Sequence, residues 1–139
     1  MGDEEALGRF RGARVARLAT VSEAGQPHLV PVTFAMAPES TEVVIAIDHK
    51  PKTTTNLRRL RNIEADPRVS ILADAYDEDW TRLWWVRLDG TARILTATPD
   101  RAAPLRWLTT KYPQYQHNSP QGPIISITPR SISAWSYQP

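Results

Sequence analysis

Short alternations of apolar and polar residues dominate this chain, and helical periodicity is confined to a few stretches. Residues 4–12 carry Ala6, Leu7 and Phe10 at helical spacing and predict a short amphipathic helix. Residues 13–21 alternate with a period near two and predict a first strand. Residues 22–27 read as a turn, with Gly25 able to take positive φ. Residues 28–34 predict the second arm of a hairpin. Pro27 and Pro31 mark edge or irregular positions there, because proline donates nothing to a ladder. Residues 38–41 turn again, and residues 42–47 form an apolar run of the kind buried on both faces of a sheet.

A helix is expected over residues 53–65, with Leu57, Leu60 and Ile63 on one face. Asp66 and Pro67 stop it, since proline restricts the residue before it and removes a donor. Residues 68–74 alternate Val69, Ile71 and Ala73 against Ser70 and Leu72, which predicts a fourth strand. Residues 83–95 fit two readings. Asp89-Gly90 is a hairpin signal between β-prone arms; alternatively one long strand carries a bulge or a close backbone approach at Gly90. Thr98 and Pro99 predict a helix start, with Thr98 as the cap. That helix carries Leu105, Trp107 and Leu108 and ends near Pro113. Residues 114–122 read as a surface loop, and residues 123–128 and 131–137 as two further strands. Six or seven short strands joined mostly by turns predict a mainly β chain with peripheral helices, an antiparallel barrel in one domain over 1–139.

Composition narrows the chemistry. The chain has 139 residues, 41% hydrophobic and 23% charged, ordinary values for a soluble globular protein. It has no apolar run long enough to span a bilayer, and no membrane partner is expected. Residues 1–5 are acidic and lack a signal-peptide pattern, so the expected location is the cytoplasm. The absence of cysteine removes disulfides, thiolate chemistry and cysteine-built zinc sites. A formal charge of +2 is too balanced to imply nucleic-acid binding.

The basic residues are nevertheless clustered. Lys50, Lys52, Arg58, Arg59 and Arg61 lie where the apolar strand passes into the helix. The first amides of a helix lack intrahelical acceptors and the dipole there is positive. Two lysines at such a junction suit a phosphate or carboxylate. Arg58, Arg59 and Arg61 read instead as a solvated helix face.

Other chemistries find little support. There is no Gly-x-Ser-x-Gly, Gly-x-Gly-x-x-Gly or Walker motif. His28, His49 and His117 show neither triad nor metal-ligand spacing, so no metal is expected. Asp77, Glu78 and Asp79, flanked by Tyr76 and Trp80, read as a solvated loop rather than a metal site. Trp84 and Trp85 are adjacent, and neighbours on a strand point to opposite faces. At least one is therefore expected outside the subunit's own barrel core, packed on a covering helix, or at a dimer interface or the wall of a flat-ligand pocket.

Several segments now combine: Ala16-Arg17-Leu18-Ala19-Thr20-Val21, Gly25-Gln26-Pro27-His28, Pro31-Val32-Thr33-Phe34, Asp48-His49-Lys50-Pro51-Lys52 through Asn56-Leu57-Arg58-Arg59, Asp66-Pro67-Arg68-Val69-Ser70, and Trp84-Trp85-Val86-Arg87 through Gly90-Thr91-Ala92. In this order they resemble the split β-barrel flavin/deazaflavin oxidoreductase superfamily that includes pyridoxamine 5′-phosphate oxidase. More narrowly, they resemble its actinobacterial branch of probable coenzyme F420-dependent enzymes. The resemblance implies a six- to seven-stranded antiparallel split barrel (the FMN-binding split barrel), homodimeric, with cofactor sites at the subunit interface. It favours one continuous strand through Gly90. It implies cofactor contact by Pro31, Val32, Thr33, Ile47, Asp48, His49, Lys50, Lys52, Thr53, Asn56, Trp84, Trp85 and Arg87, with Trp135 nearby. Lys50 and Lys52 would hold the cofactor phosphate.

The chemistry so implied is hydride transfer between the deazaflavin and a small conjugated organic substrate. The cofactor carries the hard step, while the protein positions and polarises. His28, His49 and Tyr76 could donate a proton by residue type, and none is assigned as catalytic. An FMN-dependent oxidoreductase on the same fold is the alternative, and a protein that binds cofactor or haem without turnover is the third reading.

Overall fold

Strand pairing starts at the turn expected over residues 22–27. Gly25 takes φ 86°, which an L side chain resists. Its N–H donates to the Ser22 carbonyl at 2.8 Å, and the Gln26 N–H donates to Ser22 Oγ at 3.0 Å. The computed structural model describes residues 1–47 and 54–138, with residues 54–57 described by backbone alone. Its elements are α1 (Asp3–Gly12), β1 (Ala16–Val21), β2 (Pro27–Val32), β3 (Ala35–Met36), β4 (Val43–Ala46), α2 (Thr54–Ala65), β5 (Arg68–Ala75), β6 (Trp84–Leu95), α3 (Thr98–Lys111), α4 (Pro113–His117) and β7 (Ile124–Ser136). The strands form one antiparallel sheet in the order β2-β1-β5-β6-β7-β4-β3, curled into a half-barrel.

β6 and β7 pair along nearly their whole length. Asp89 lies opposite Ser131 but Gly90 lies opposite Pro129, so β7 carries one extra residue, Arg130. The bulge changes which parity of β7 faces inward. Ile125 and Ile127 on one side of it, and Ile132 and Ala134 on the other, all pack toward the same core. They meet the inward residues of β6: Ile94, Ala92, Leu88 and Val86. Without the extra residue, one half of β7 would turn its apolar side chains to the opposite face. Pro129 is tolerated because it sits at the bulge. Gly90 is demanded by the same crossing. A Cβ there would collide with the Thr128 carbonyl oxygen and lie 2.8 Å from Pro129 Cα.

The main core is built from the inward faces of β1, β5, β6 and β7 together with α1 and α2, with Phe10, Phe34, Leu18, Ile71 and Leu88 fully buried. Phe10 and Phe34 stack in a tilted pair at 4.8 Å between centroids. A second cluster joins Val44, Ala46, Leu95, Ile124, Leu108 and Tyr112 under α3. β4 separates the two. Val43 and Ile45 face the main core, while Val44 and Ala46 face the second, so the run is buried on both sides as expected.

Four expectations change. Residues 28–34 are not one strand: β2 ends at Val32, and β3 turns away to pair with β4. The two strands expected over residues 123–128 and 131–137 are one, β7, because the Pro129–Arg130 bulge absorbs the proline instead of breaking the ladder. Thr98 is the first helical residue of α3 and Ala97 its cap, with no side-chain cap bond. Residues 113–117 are helical, because Pro113 after Tyr112 opens a new helix at its first turn rather than only ending the previous one. Other expectations hold. β6 runs straight through Gly90, and β2, with Pro27 and Pro31, is an edge strand.

Gly90→Ala should cost about 1–3 kcal/mol, the range for overpacking against immovable neighbours. A urea midpoint equal to wild type would show that the β6–β7 crossing can relax.

Candidate functional site

The segment after β2 is held by two tyrosines from the far end of the chain. Tyr112 Oη accepts the Phe34 N–H at 3.2 Å and donates to the Arg14 carbonyl at 2.9 Å. Thr33 Oγ1 and Tyr115 Oη share a hydrogen bond of 2.8 Å. A buried amide left without its partner costs about 1–3 kcal/mol, so Tyr112 fixes the path of Phe34. Lys111, next in the chain, places its Nζ 3.7 Å from the Phe34 ring centroid, buried and with no hydrogen-bond partner.

The outward face of the sheet is the second feature. Pro31, Arg17, Leu72, Arg87 and Ser133 form one cross-strand row over β2, β1, β5, β6 and β7. From Pro31 to Arg87 that row spans about 14 Å, three interstrand spacings. A neighbouring row holds Asp74, Trp85 and Trp135. Leu29 is 67% exposed and Trp135 43% exposed on the face opposite the core. The polar groups among them are already arranged. Arg17 pairs with Asp74 at 3.0 Å. Arg87 Nε donates to Asp89 at 3.0 Å and its Nη2 to Ser133 Oγ at 3.3 Å, while Ser70 Oγ donates to Asp89 at 2.6 Å.

The third feature is a cleft of about 440 Å³ between the β1–β2 hairpin and α2, lined in part by His28, Arg58, Arg61 and Asn62. Asn62 is buried and donates from Nδ2 to the buried Thr20 Oγ1 at 3.0 Å, which docks α2 on β1. His28 lies opposite Thr20 in the β1–β2 register. Its pKa is held below the ordinary value by burial first, then by the nearby charges of Arg58 and Arg59.

These placements sort the residues proposed from sequence. Pro31, Trp85 and Arg87 share the outward face. Val32 is buried on the core side, and Trp84 packs against the core with the Arg9 guanidinium 5.8 Å from its ring centroid. The adjacent tryptophans therefore do point to opposite faces, and only Trp85 joins the outward group. Thr33 is engaged with Tyr115, and Ile47 is buried with its N–H on the Pro123 carbonyl at 3.1 Å. Asp48, His49, Lys50, Lys52 and Thr53 lie outside the described residues, as does the side chain of Asn56. The acidic loop has a local role: Asp77 accepts the Asp79 N–H, and Asp79 caps the 3-10 turn Trp80–Arg82 by accepting from Thr81.

A profile described as pyridoxamine 5′-phosphate oxidase matches residues 3–136. This chain belongs to the pyridoxamine 5′-phosphate oxidase family. Three solved structures with the family's split-barrel fold are similar to it. The conserved hypothetical protein Rv2991 from Mycobacterium tuberculosis is 22% identical, with 99% of this chain and 86% of that chain covered and a TM-score of 0.79. A FAD-binding protein from Mesorhizobium loti is 18% identical, with 96% and 94% covered and a TM-score of 0.74. The haem storage protein HutZ from Vibrio cholerae is 17% identical, with 98% and 95% covered and a TM-score of 0.71. At these identities the likeness is one of fold.

Sequence reasoning missed Tyr112, at the expected helix end, and Tyr115, in the expected 114–122 loop, because nothing local ties either to Phe34 or Thr33. The solvated-face reading holds for Arg58 and Arg61, which stay exposed at the cleft, and fails for Arg59, which is buried where α2 packs on the sheet.

Lys111 offers a pH test of the anchored segment. Burial first, then Arg14 and Arg11, pushes its pKa down to about 8 despite the Phe34 ring beneath it. Between about 8 and the ordinary 10.5, the unfolded chain binds the proton and the folded one does not, so this group's contribution to stability rises with pH. Urea midpoints of Lys111→Met should lack the part of the rise between pH 8 and 10 that wild type shows. Parallel profiles would contradict the assignment.

Proposed function

We propose that this chain is an oxidoreductase that binds a flavin-type cofactor between the outward sheet face and a second copy of itself, as a homodimer. F420 is the first choice. The observation that carries this reading is the outward-facing row of Pro31, Arg17, Leu72 and Arg87 beside Trp85 and Trp135. Apolar and aromatic side chains share that face with charged groups already paired, as a broad ring and a partner surface require. Tyr112 and Tyr115 hold the chain immediately after Pro31 in place. Such a face fits a flat multi-ring group.

In this reading Pro31 and the backbone through Thr33 lie along the ring, and Lys50 and Lys52 take the phosphate. Asp48, His49, Thr53 and Asn56 complete the phosphate end. Trp85 and Arg87 close the site from the partner's side. A bound deazaflavin supplies two-electron hydride chemistry toward a small conjugated substrate. The side chains bind it, orient the acceptor against it and exclude water. A FAD- or FMN-dependent activity is the second reading, supported by the FAD-binding neighbour from Mesorhizobium loti. Storage without turnover is the third, supported by the haem storage neighbour from Vibrio cholerae.

Titrating the purified protein with F420, FMN, FAD and haem, followed by tryptophan quenching and ligand absorbance, separates the three. F420 should bind tightest. Tight FAD or FMN binding with none for F420 would overturn the first choice. Lys52→Ala should weaken cofactor binding at least tenfold while Arg106→Ala, on the exposed side of α3, leaves it unchanged. Equal losses would reduce the lysines to a diffuse field.

A further inference from the structure

The cleft between the β1–β2 hairpin and α2 has unused binding capacity. Arg58 and Arg61 stand three residues apart on α2, so they project on the same side of the helix. Neither joins an ion pair among the described residues. Both line the cleft. On the opposite wall, His28 Nδ1 is buried and has no hydrogen-bond partner. Native structures rarely leave such an atom unmatched. Ser22, Gln26 and Asn62 add further polar groups, and Glu23 is the one acidic residue among those lining the cleft.

We propose that this cleft is an oxyanion site, taking a carboxylate, phosphate or sulfate group between the Arg58 and Arg61 guanidiniums and the His28 ring. The guanidiniums supply forked N–H donors suited to such groups. His28 donates from Nδ1 once protonated, so the anion satisfies the orphaned nitrogen. The charged groups facing His28 are Arg58, Arg59 and Arg61 on α2 and Glu23 on the hairpin turn. An anion seated there offsets the arginines, and protonation of His28 becomes coupled to binding. Affinity should therefore rise as pH falls through the His28 titration. The site lies along α2 beyond its first turn: from Thr54, Arg58 is about 6 Å and Arg61 about 10 Å along the axis. It could receive the acidic tail of a cofactor anchored at the start of α2, or the acidic group of a separate small molecule. The assignment does not depend on the cofactor reading.

Sulfate is the probe, since it does not titrate in this range. The His28 ring resonance should be followed by NMR against pH, with sodium sulfate compared with sodium chloride at matched ionic strength. Sulfate should shift the resonance saturably and raise the His28 pKa by about one unit, the lower end for a close opposite charge. Arg58→Ala/Arg61→Ala should lose both effects while keeping a wild-type circular dichroism spectrum. His28→Gln should still bind sulfate by calorimetry, without the pH dependence. An equal response to chloride, or an unchanged sulfate response in the double variant, would overturn the site. Displacement of sulfate by intact F420, but not by its tail-less deazariboflavin chromophore, assigns the occupant to the cofactor's tail. Sulfate retained beside both assigns it to a separate molecule.

Discussion

The extra residue that β7 carries at Arg130 keeps one side of the sheet apolar from end to end. β6 and β7 are the longest strands and sit at the centre of the strand order. Side chains alternate with a strict period of two, so a pair this long has only one register that buries everything. The apolar residues of β7 do not keep that parity: Ile125 and Ile127 are odd-numbered, Ile132 and Ala134 even-numbered. The bulge reconciles them. Its local bend brings the backbone of Thr128 and Pro129 onto β6, where only glycine leaves room. Gly90, Pro129 and Arg130 thus act as one device, and the curl of the half-barrel follows from it.

What the core gains on one face defines what the other face presents. With Val86 and Leu88 turned inward, Trp85, Arg87 and Asp89 must turn outward, and β7 adds Trp135 and Ser133 beside them. The charged groups there are held by neighbours on the same face rather than by solvent alone. At the edge of the sheet, Pro31 cannot donate to a further strand, and the chain after it is tied to α3 and α4 by Tyr112 and Tyr115. This arrangement supports a flat cofactor met by a second copy. The hairpin cleft is a separate feature, formed where α2 docks through the Asn62–Thr20 hydrogen bond.

Local patterns made much of this legible. Gly25 announced the hairpin, the apolar run of β4 announced a strand buried on both faces, and Asp66-Pro67 ended α2 where a helix must stop. Trp84-Trp85 required opposite faces, and the two side chains do separate. The failures share a cause. Two strands were expected either side of residues 129–130 and a helix end near Pro113, yet the effect of each proline depends on what pairs or packs beside it, which is set by residues far away in sequence. For the same reason the partners of Phe34 and the wall facing Arg58 were invisible from local pattern. The proposed phosphate contacts at Lys50 and Lys52 fall outside the described residues.

We propose that the outward sheet face is completed by a second copy of the chain, with the cofactor at the junction. Sedimentation velocity on wild type and on Trp135→Asp, with and without F420, FMN or FAD, tests it most directly. Trp135 is exposed, so the substitution should leave the fold intact by circular dichroism. Wild type should sediment as a dimer, and the variant as a folded monomer with cofactor binding weakened at least tenfold. A wild-type monomer that binds cofactor fully, or a variant that loses the dimer yet keeps wild-type affinity, would contradict it.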